Sequence, residues 1–281
     1  MVDIIYNIFE DDFNKSLTHT YNLSVLMGTD RLSYLISNEQ NQVVALRSYQ
    51  LSGLPHESPL KQVLIEDSIL RAKFKTVRVG LFAPKFSLIP LSLFSEEEAS
   101  VYLQQTTTLN KSDQVFFDLV ESLKAANVYA FAIPYIQDFK EHFSEVNFCH
   151  VSTGLINNFI NNFDSSSSKN IFLNIYDHYV MITVIENNKL LFHNIFSFKA
   201  SPDCLYYILL VYKQLGLMPD RHPLYIVGEL VADSEIHKLL YKYIKTIHFV
   251  NRPNFYVFGE KLQASFAQNF FFDLYSLKLC E

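Results

Sequence analysis

Glycine is scarce. The chain has seven in 281 residues, where average usage is about 7%. Loops that cradle phosphate need glycine for close backbone approach, so the shortage counts against nucleotide chemistry. Tryptophan is absent, and Cys149, Cys204 and Cys280 stand far apart, with no CxxC spacing and no accompanying histidine cluster. That excludes a disulfide framework and a structural zinc site and leaves reduced, partly buried thiols. A basic excess is missing too: 23 Lys and Arg against 29 Asp and Glu give a net charge of −6, which argues against nucleic acid as a partner. The longest apolar runs, Val128–Ile133 and Leu205–Tyr212, fall well short of the ~20 residues of a membrane span. The N-terminal stretch MVDIIYNIFEDDFNK carries four acidic residues and does not read as a signal peptide. A cytoplasmic protein without membrane insertion is expected, in which Asn22-Leu-Ser and Asn110-Lys-Ser match the glycosylation pattern by chance. No P-loop, nucleophile-elbow, zincin or EF-hand pattern occurs, so no catalytic residue and no metal ligand is assigned.

What is present is a well-stocked core: 49% of residues are hydrophobic and 19% charged, a balance that excludes disorder. Leu23–Met27, Leu32–Ser37 and Val43–Tyr49 read as three strands separated by Gly-Thr-Asp (28–30) and Asn-Glu-Gln-Asn (38–41). A helix follows, with Ser58-Pro59 as cap and first-turn proline and Leu60, Val63, Leu64 and Ile69 to Leu70 at helical spacing. Strands are expected at Val77–Phe82 and Phe86–Ile89, and Ser95 is placed to cap a short helix opened by Glu96-Glu97-Glu98. Val115–Val120 and Val128–Ile133 read as a strand pair, and 135–145 and 152–163 as helices, the second entered through Ser152-Thr153. After the low-complexity segment Asp164–Asn170 the opening pattern returns: strands at Ile171–Ile175, Tyr179–Glu186 and Lys189–Phe196, a helix at Pro202–Leu215, a strand at Leu224–Val227, a helix at Ser234–Ile244 and a strand at Ile247–Val250. A domain-scale duplication accounts for this order more simply than two unrelated α/β units. The expected lobes are 1–165, with an insertion at about 84–125, and 166–281.

A repeated three-strand, helix, strand, helix, strand unit resembles the actin-like ATPase superfamily, a duplicated ribonuclease H-like α/β fold whose two lobes each hold a mixed sheet flanked by helices. Leu173–Phe192 resembles that superfamily's second phosphate segment, Leu224–Leu230 its adenosine segment, and Val25–Thr29 its first phosphate segment. Phe86–Pro90, Val128–Pro134 and His150–Thr153 are similar to an uncharacterised bacterial family with this fold, distantly similar to PilM-type pilus-assembly proteins.

The resemblance implies ATP and magnesium, but the residues it maps depart from the pattern. In the superfamily each phosphate strand supplies an aspartate that holds the metal; here those positions are Leu26 and Asn174, and neither supplies negative charge. Tyr176 replaces the glycine of the second turn, and the adenosine Gly-Gly is Gly228-Glu229. Gly28, Thr29, Asn174, Tyr176 and Gly228 are therefore vestigial nucleotide positions, with no cofactor expected. The reading that follows is a non-catalytic interaction or scaffold protein with an unknown protein partner. The alternative is an ATP-binding switch or ATPase using Asp30 or Asp177 for a shifted magnesium site. A metal-dependent nuclease on the related scaffold would need clustered carboxylates on the first strand, and Leu23–Met27 has none.

Other features carry simpler readings. His150 reads as a capping or packing histidine, since no nucleophile lies near it in sequence. Glu96–Glu98 reads as a helix N-terminal charge run, and Lys238, Lys242 and Lys245 as one solvated face. The chain holds 25 Phe and 17 Tyr. Its aromatic tail Phe266–Leu279 is expected to pack against the second half, with any exposed remainder serving as a partner surface.

Overall fold

The computed structural model describes residues 2–51, 59–163, 169–176 and 178–280. In chain order its elements are β1 (Asp3–Phe9), β2 (Asn22–Met27), β3 (Arg31–Ser37), β4 (Gln42–Gln50), α1 (Pro59–Glu66), β5 (Thr76–Leu81), β6 (Phe86–Pro90), α2 (Ala99–Gln104), β7 (Asp113–Val120), β8 (Ala125–Ala132), α3 (Ile133–His142), β9 (Asn147–His150) and α4 (Val151–Asn162). There follow β10 (Asn170–Tyr176), β11 (Tyr179–Glu186), β12 (Lys189–Ser197), α5 (Ser201–Gln214), β13 (Leu224–Val227), α6 (Glu235–Tyr241), β14 (Ile247–Phe249), β15 (Val257–Phe258), α7 (Glu260–Ser265) and α8 (Phe272–Ser276). Contacts group them into two units. The first comprises Met1–Leu155, Asn254–Ser265 and Leu274–Glu281, the second Ile156–Pro253 and Phe266–Asp273.

The first unit's main sheet has the order β1-β4-β3-β2-β5-β9, with β15 also pairing β4. The second unit's sheet has the order β12-β11-β10-β13-β14. Allowing for the extra edge strand β1, the two sheets share one plan. A three-strand antiparallel meander is followed by two parallel strands beside its first member. This is the duplicated, mixed α/β architecture expected. The insertion is a three-stranded sheet of order β6-β8-β7 carrying α2. It runs on to Ala132, past the expected limit of about 125.

Alternation fixes which sheet face is buried under helices. In unit 1, Leu23, Val25, Met27, Tyr34, Ile36, Val79 and Leu81 form a core with Leu60 and Val63 of α1 and Ile136 and Phe139 of α3. The opposite face carries small and polar residues, Ser24, Ser33, Ser48 and Gly80 among them, and Leu277 lies so close over Gly80 that a Cβ there would collide with its side chain. In unit 2, Ile171, Leu173, Val180 and Ile182 pack with Ile208 and Tyr212 of α5 and Leu240 of α6. On its other face Phe172 stacks on Phe159 with ring centroids 4.0 Å apart, and Phe272 continues the stack.

Several expectations need correction. β1 and β9 lack a readable pattern and exist through pairing with β4 and β5. α1 ends at Glu66, before Ile69 and Leu70, and α3 spans Ile133–His142 instead of 135–145. Ser58, proposed as a cap, lies outside the described residues, as does most of the Asp164–Asn170 segment. Ser95 makes no side-chain capping bond. α4 is not entered through Ser152 and Thr153, which lie buried in its first turn; the residue before it, His150, supplies the cap through Nδ1, which accepts the Ser152 N–H at 3.1 Å. The aromatic tail divides, with Leu274 onward grouping with unit 1. Phe270 to Leu277 are buried, so that stretch offers no exposed partner surface. Cys149, Cys204 and Cys280 are free thiols and all buried, not merely partly so.

Candidate functional site

In an open α/β sheet, ligands bind beyond the carboxyl ends of parallel strands where the strand order reverses. In unit 2 that position lies at the ends of β10 and β13, which pair in parallel from Ile171↔Leu224 to Asn174↔Val227. Asn174, Tyr176 and Gly228 come together there. Asn174 is buried and its Nδ2 donates to the Tyr176 hydroxyl at 3.0 Å and to Asp273 Oδ2 at 3.3 Å. Burial pushes the Tyr176 phenol well above its ordinary pKa, and the Asp273 charge and hydrogen bond raise it further. A neutral phenol that donates to a carboxylate is the result.

Gly228 follows β13 with φ +79°, and a Cβ on it would collide with Asn174 Oδ1. Both backbone groups of Gly228 are engaged. Its N–H donates to the Asn269 carbonyl at 2.8 Å, and its own carbonyl accepts from Asn269 Nδ2 at 2.6 Å. Asn269 Nδ2 also reaches the Leu230 carbonyl at 3.1 Å. The group is closed on itself: the Asn174, Tyr176 and Asp273 side chains bond one another, and both backbone groups of Gly228 bond Asn269. Asn269 and Asp273 escape a sequence reading because they sit inside a phenylalanine-rich run. The signal available is that a buried Asn and Asp in an apolar run must find partners.

Unit 1 places Leu26 inside the sheet, buried and opposite Ser33 and Gly80. The turn after it is tight, with the Gly28 N–H donating to the Arg31 carbonyl at 2.8 Å. Thr29 is exposed at its tip. The Asp30 carboxylate accepts from Gln50 Nε2 at 3.1 Å, and its carbonyl accepts the Leu51 N–H. Asp177 lies outside the described residues. Among the described residues no three His, Cys, Asp or Glu side chains group as a metal site would, and no helix is long and apolar enough to cross a membrane.

A second buried polar group in unit 1 joins the insertion to the end of β9. Asp118 on β7 accepts the His150 N–H at 2.7 Å and the Thr153 hydroxyl at 2.6 Å on Oδ2, and the Tyr129 hydroxyl at 3.2 Å on Oδ1. His150 is fully buried, with Nε2 2.8 Å from the Ala83 carbonyl. Since Nδ1 accepts from Ser152, Nε2 carries the proton and the ring is neutral. This is the capping and packing role expected of it.

A family described as "Protein of unknown function (DUF3822)" matches residues 10–247. The chain belongs to this family. No curated protein matches it. Among solved structures it is similar to a Bacteroides thetaiotaomicron protein with an actin-like ATPase fold and unknown function, at TM-score 0.82 and 24% identity, covering 96% of this chain and 99% of that one. It is also similar to a chain of the PilM–PilN type IV pilus biogenesis complex, at TM-score 0.61 and 13% identity over 94% and 99% of the two chains. The ethanolamine utilization protein EutJ from Carboxydothermus hydrogenoformans follows at TM-score 0.50 and 9% identity, over 93% and 90%. These likenesses show the actin-like fold of this DUF3822 chain.

Proposed function

We propose that this DUF3822 protein is a cytoplasmic, non-catalytic interaction protein whose nucleotide site has been replaced by an internal polar cluster. One observation carries the reading: Tyr176, where the superfamily resemblance places a phosphate-turn glycine, is tied to Asp273 and Asn174. An incoming phosphate would have to displace that phenol and approach a carboxylate of its own sign. Leu26 and Asn174, in place of the metal-holding aspartates, remove the charge that offsets magnesium. The partner is taken to be a protein, by analogy with the fold's occurrence in the PilM–PilN complex.

Thermal unfolding with and without magnesium and millimolar ATP or ADP tests the site. A ligand at about 100 times its Kd stabilises by about 2.7 kcal/mol, so a working site gives a clear rise in Tm. The expected result is no rise. A saturable, magnesium-dependent rise overturns the reading in favour of a shifted metal site at Asp30 or Asp177. Affinity capture from the native cell, read by mass spectrometry, tests the second half: the same protein should be recovered in repeated experiments, and consistent recovery of nothing counts against an interaction role.

A further inference from the structure

Unit 1 holds a cavity of about 250 Å³ at the opposite ends of its strands, where β2 and β5 begin, lined by Asn22, Ser24, Thr76, Arg78, Tyr256 and Lys278 among others. Its two charged lining residues are both cations. Among the described residues no carboxylate pairs with either, although Arg78 is half-buried on β5. Lys278 donates to the Phe255 carbonyl at 3.1 Å and sits 4.8 Å from the Tyr256 ring centroid. Burial pushes the Lys278 ammonium below its ordinary pKa, and the Arg78 charge adds to the effect. The two cations therefore repel each other. The neutral side chains here are partly committed: Thr76 donates to Asn22 Oδ1 at 2.7 Å. The Tyr256 hydroxyl bonds to Ser24 and Ser37. Two unneutralised like charges in one polar recess are costly unless an anion joins them, and a guanidinium beside an ammonium is the pairing that takes a phosphate group.

We propose that this recess binds the phosphate group of a small phosphorylated ligand, with Arg78 and Lys278 as its two cationic contacts. A phosphate monoester, carrying close to two negative charges at neutral pH, matches the two cations, whereas a single carboxylate leaves one unbalanced. The site shares no residue with the cluster around Asn174 and stands whether or not that cluster binds nucleotide.

Equilibrium titration of the full chain with inorganic phosphate and with glycerol 3-phosphate, at ionic strength held constant with chloride, tests this. Saturable binding of either probe is expected, with at least a tenfold loss in Arg78→Gln and in Lys278→Gln and partial retention in Arg78→Lys. Lys238→Gln, remote in sequence and exposed, should bind as wild type. Preference for glycerol 3-phosphate identifies an esterified ligand, and preference for inorganic phosphate the free ion. Absence of binding to folded wild-type protein, or equal binding by folded Arg78→Gln and Lys278→Gln, overturns the proposal.

Discussion

Asp118 and His150 touch, are both buried, and are displaced in pKa so that their effects on stability oppose each other. Burial raises the Asp118 carboxyl from 3.8 to about 6, against the lowering effect of its bonds from Thr153, His150 N–H and Tyr129. Burial lowers the His150 imidazole from 6.5 to about 4, against its bond to the Ala83 carbonyl. As pH falls from about 6, folded Asp118 takes up a proton that the unfolded chain does not, so its contribution to stability rises. As pH falls from 6.5, unfolded His150 takes up a proton that the folded ring does not, so its contribution falls. One pKa unit corresponds to about 1.4 kcal/mol. Between pH 7 and 4.5 the Asp118 gain is then about 2 kcal/mol and the His150 loss about 2.4 kcal/mol. In the wild type the two largely cancel. Each single variant, measured against wild type, removes its own group's slope. Between pH 7 and 4.5 Asp118→Asn should lose about 2 kcal/mol relative to wild type, and His150→Gln should gain about 2.4 kcal/mol. The assay is urea unfolding at intervals from pH 7 to 4.5, read as the difference between variant and wild type so that groups common to both drop out. Difference curves that stay flat for both variants refute the reasoning.

Asp67 → Ala should cost about 3 kcal/mol in urea unfolding, because its Oδ2 holds the Tyr34 and Tyr49 hydroxyls at 2.6 and 2.7 Å and Arg47 at 3.0 Å. Burial pushes the Asp67 carboxyl up, but bonds from Tyr34, Tyr49, Arg47 and the Ile69 N–H outweigh it and hold it below 3.8; its stabilisation therefore persists to about pH 4 and is lost only as pH falls further. Gly154→Ala should lower stability by about 1–3 kcal/mol, since the added methyl runs into the Ser276 carbonyl oxygen; hydrogen exchange should show the loss concentrated at residues 274–280. Gly228→Ala should destabilise by a similar amount, combining positive φ with a clash against Asn174. In a double-mutant cycle Gly228→Ala should cost less on an Asn174→Gly background than on wild type, and full additivity contradicts the assigned contact.

How much was legible follows from which interactions are local. The meanders β2–β4 and β10–β12 show in the sequence because alternation and turn residues act over a few positions. Asn187 and Asn188, both at positive φ, form the two-residue hairpin turn that their composition suggests. β1 is hidden because Ile4 and Ile5 face solvent and only pairing with β4 makes the segment a strand. β9, four residues long, depends in the same way on β5. In the candidate site, Asn174, Tyr176 and Gly228 are legible through the superfamily resemblance, which maps them onto its second phosphate and adenosine segments. Asp273 and Asn269 follow from no local rule, since their partners lie 99 and 41 residues away. His150 was legible as a cap, whereas the carboxylate that holds its N–H, Asp118, comes from the insertion 32 residues earlier.

The shortage of glycine acquires a physical meaning from where the remaining glycines sit. Gly80 and Gly154 give up their side chains so that Leu277 and Ser276 can lie against β5 and the first turn of α4. Gly228 does so for Asn174, and its N–H is bound to Asn269. The Gly28 N–H is spent on Arg31. A phosphate-binding loop requires the reverse, backbone N–H groups held open toward solvent and ligand. On the proposed reading, opening this cluster to a nucleotide would take more than introducing one aspartate. Asn174→Asp would set a second carboxylate beside Asp273, and Tyr176→Gly would strip that carboxylate of the phenol that now bonds it. Each single substitution is thus expected to destabilise the cluster without creating a site, and gain of magnesium-dependent nucleotide binding by Asn174→Asp alone would show that these internal bonds do not govern access.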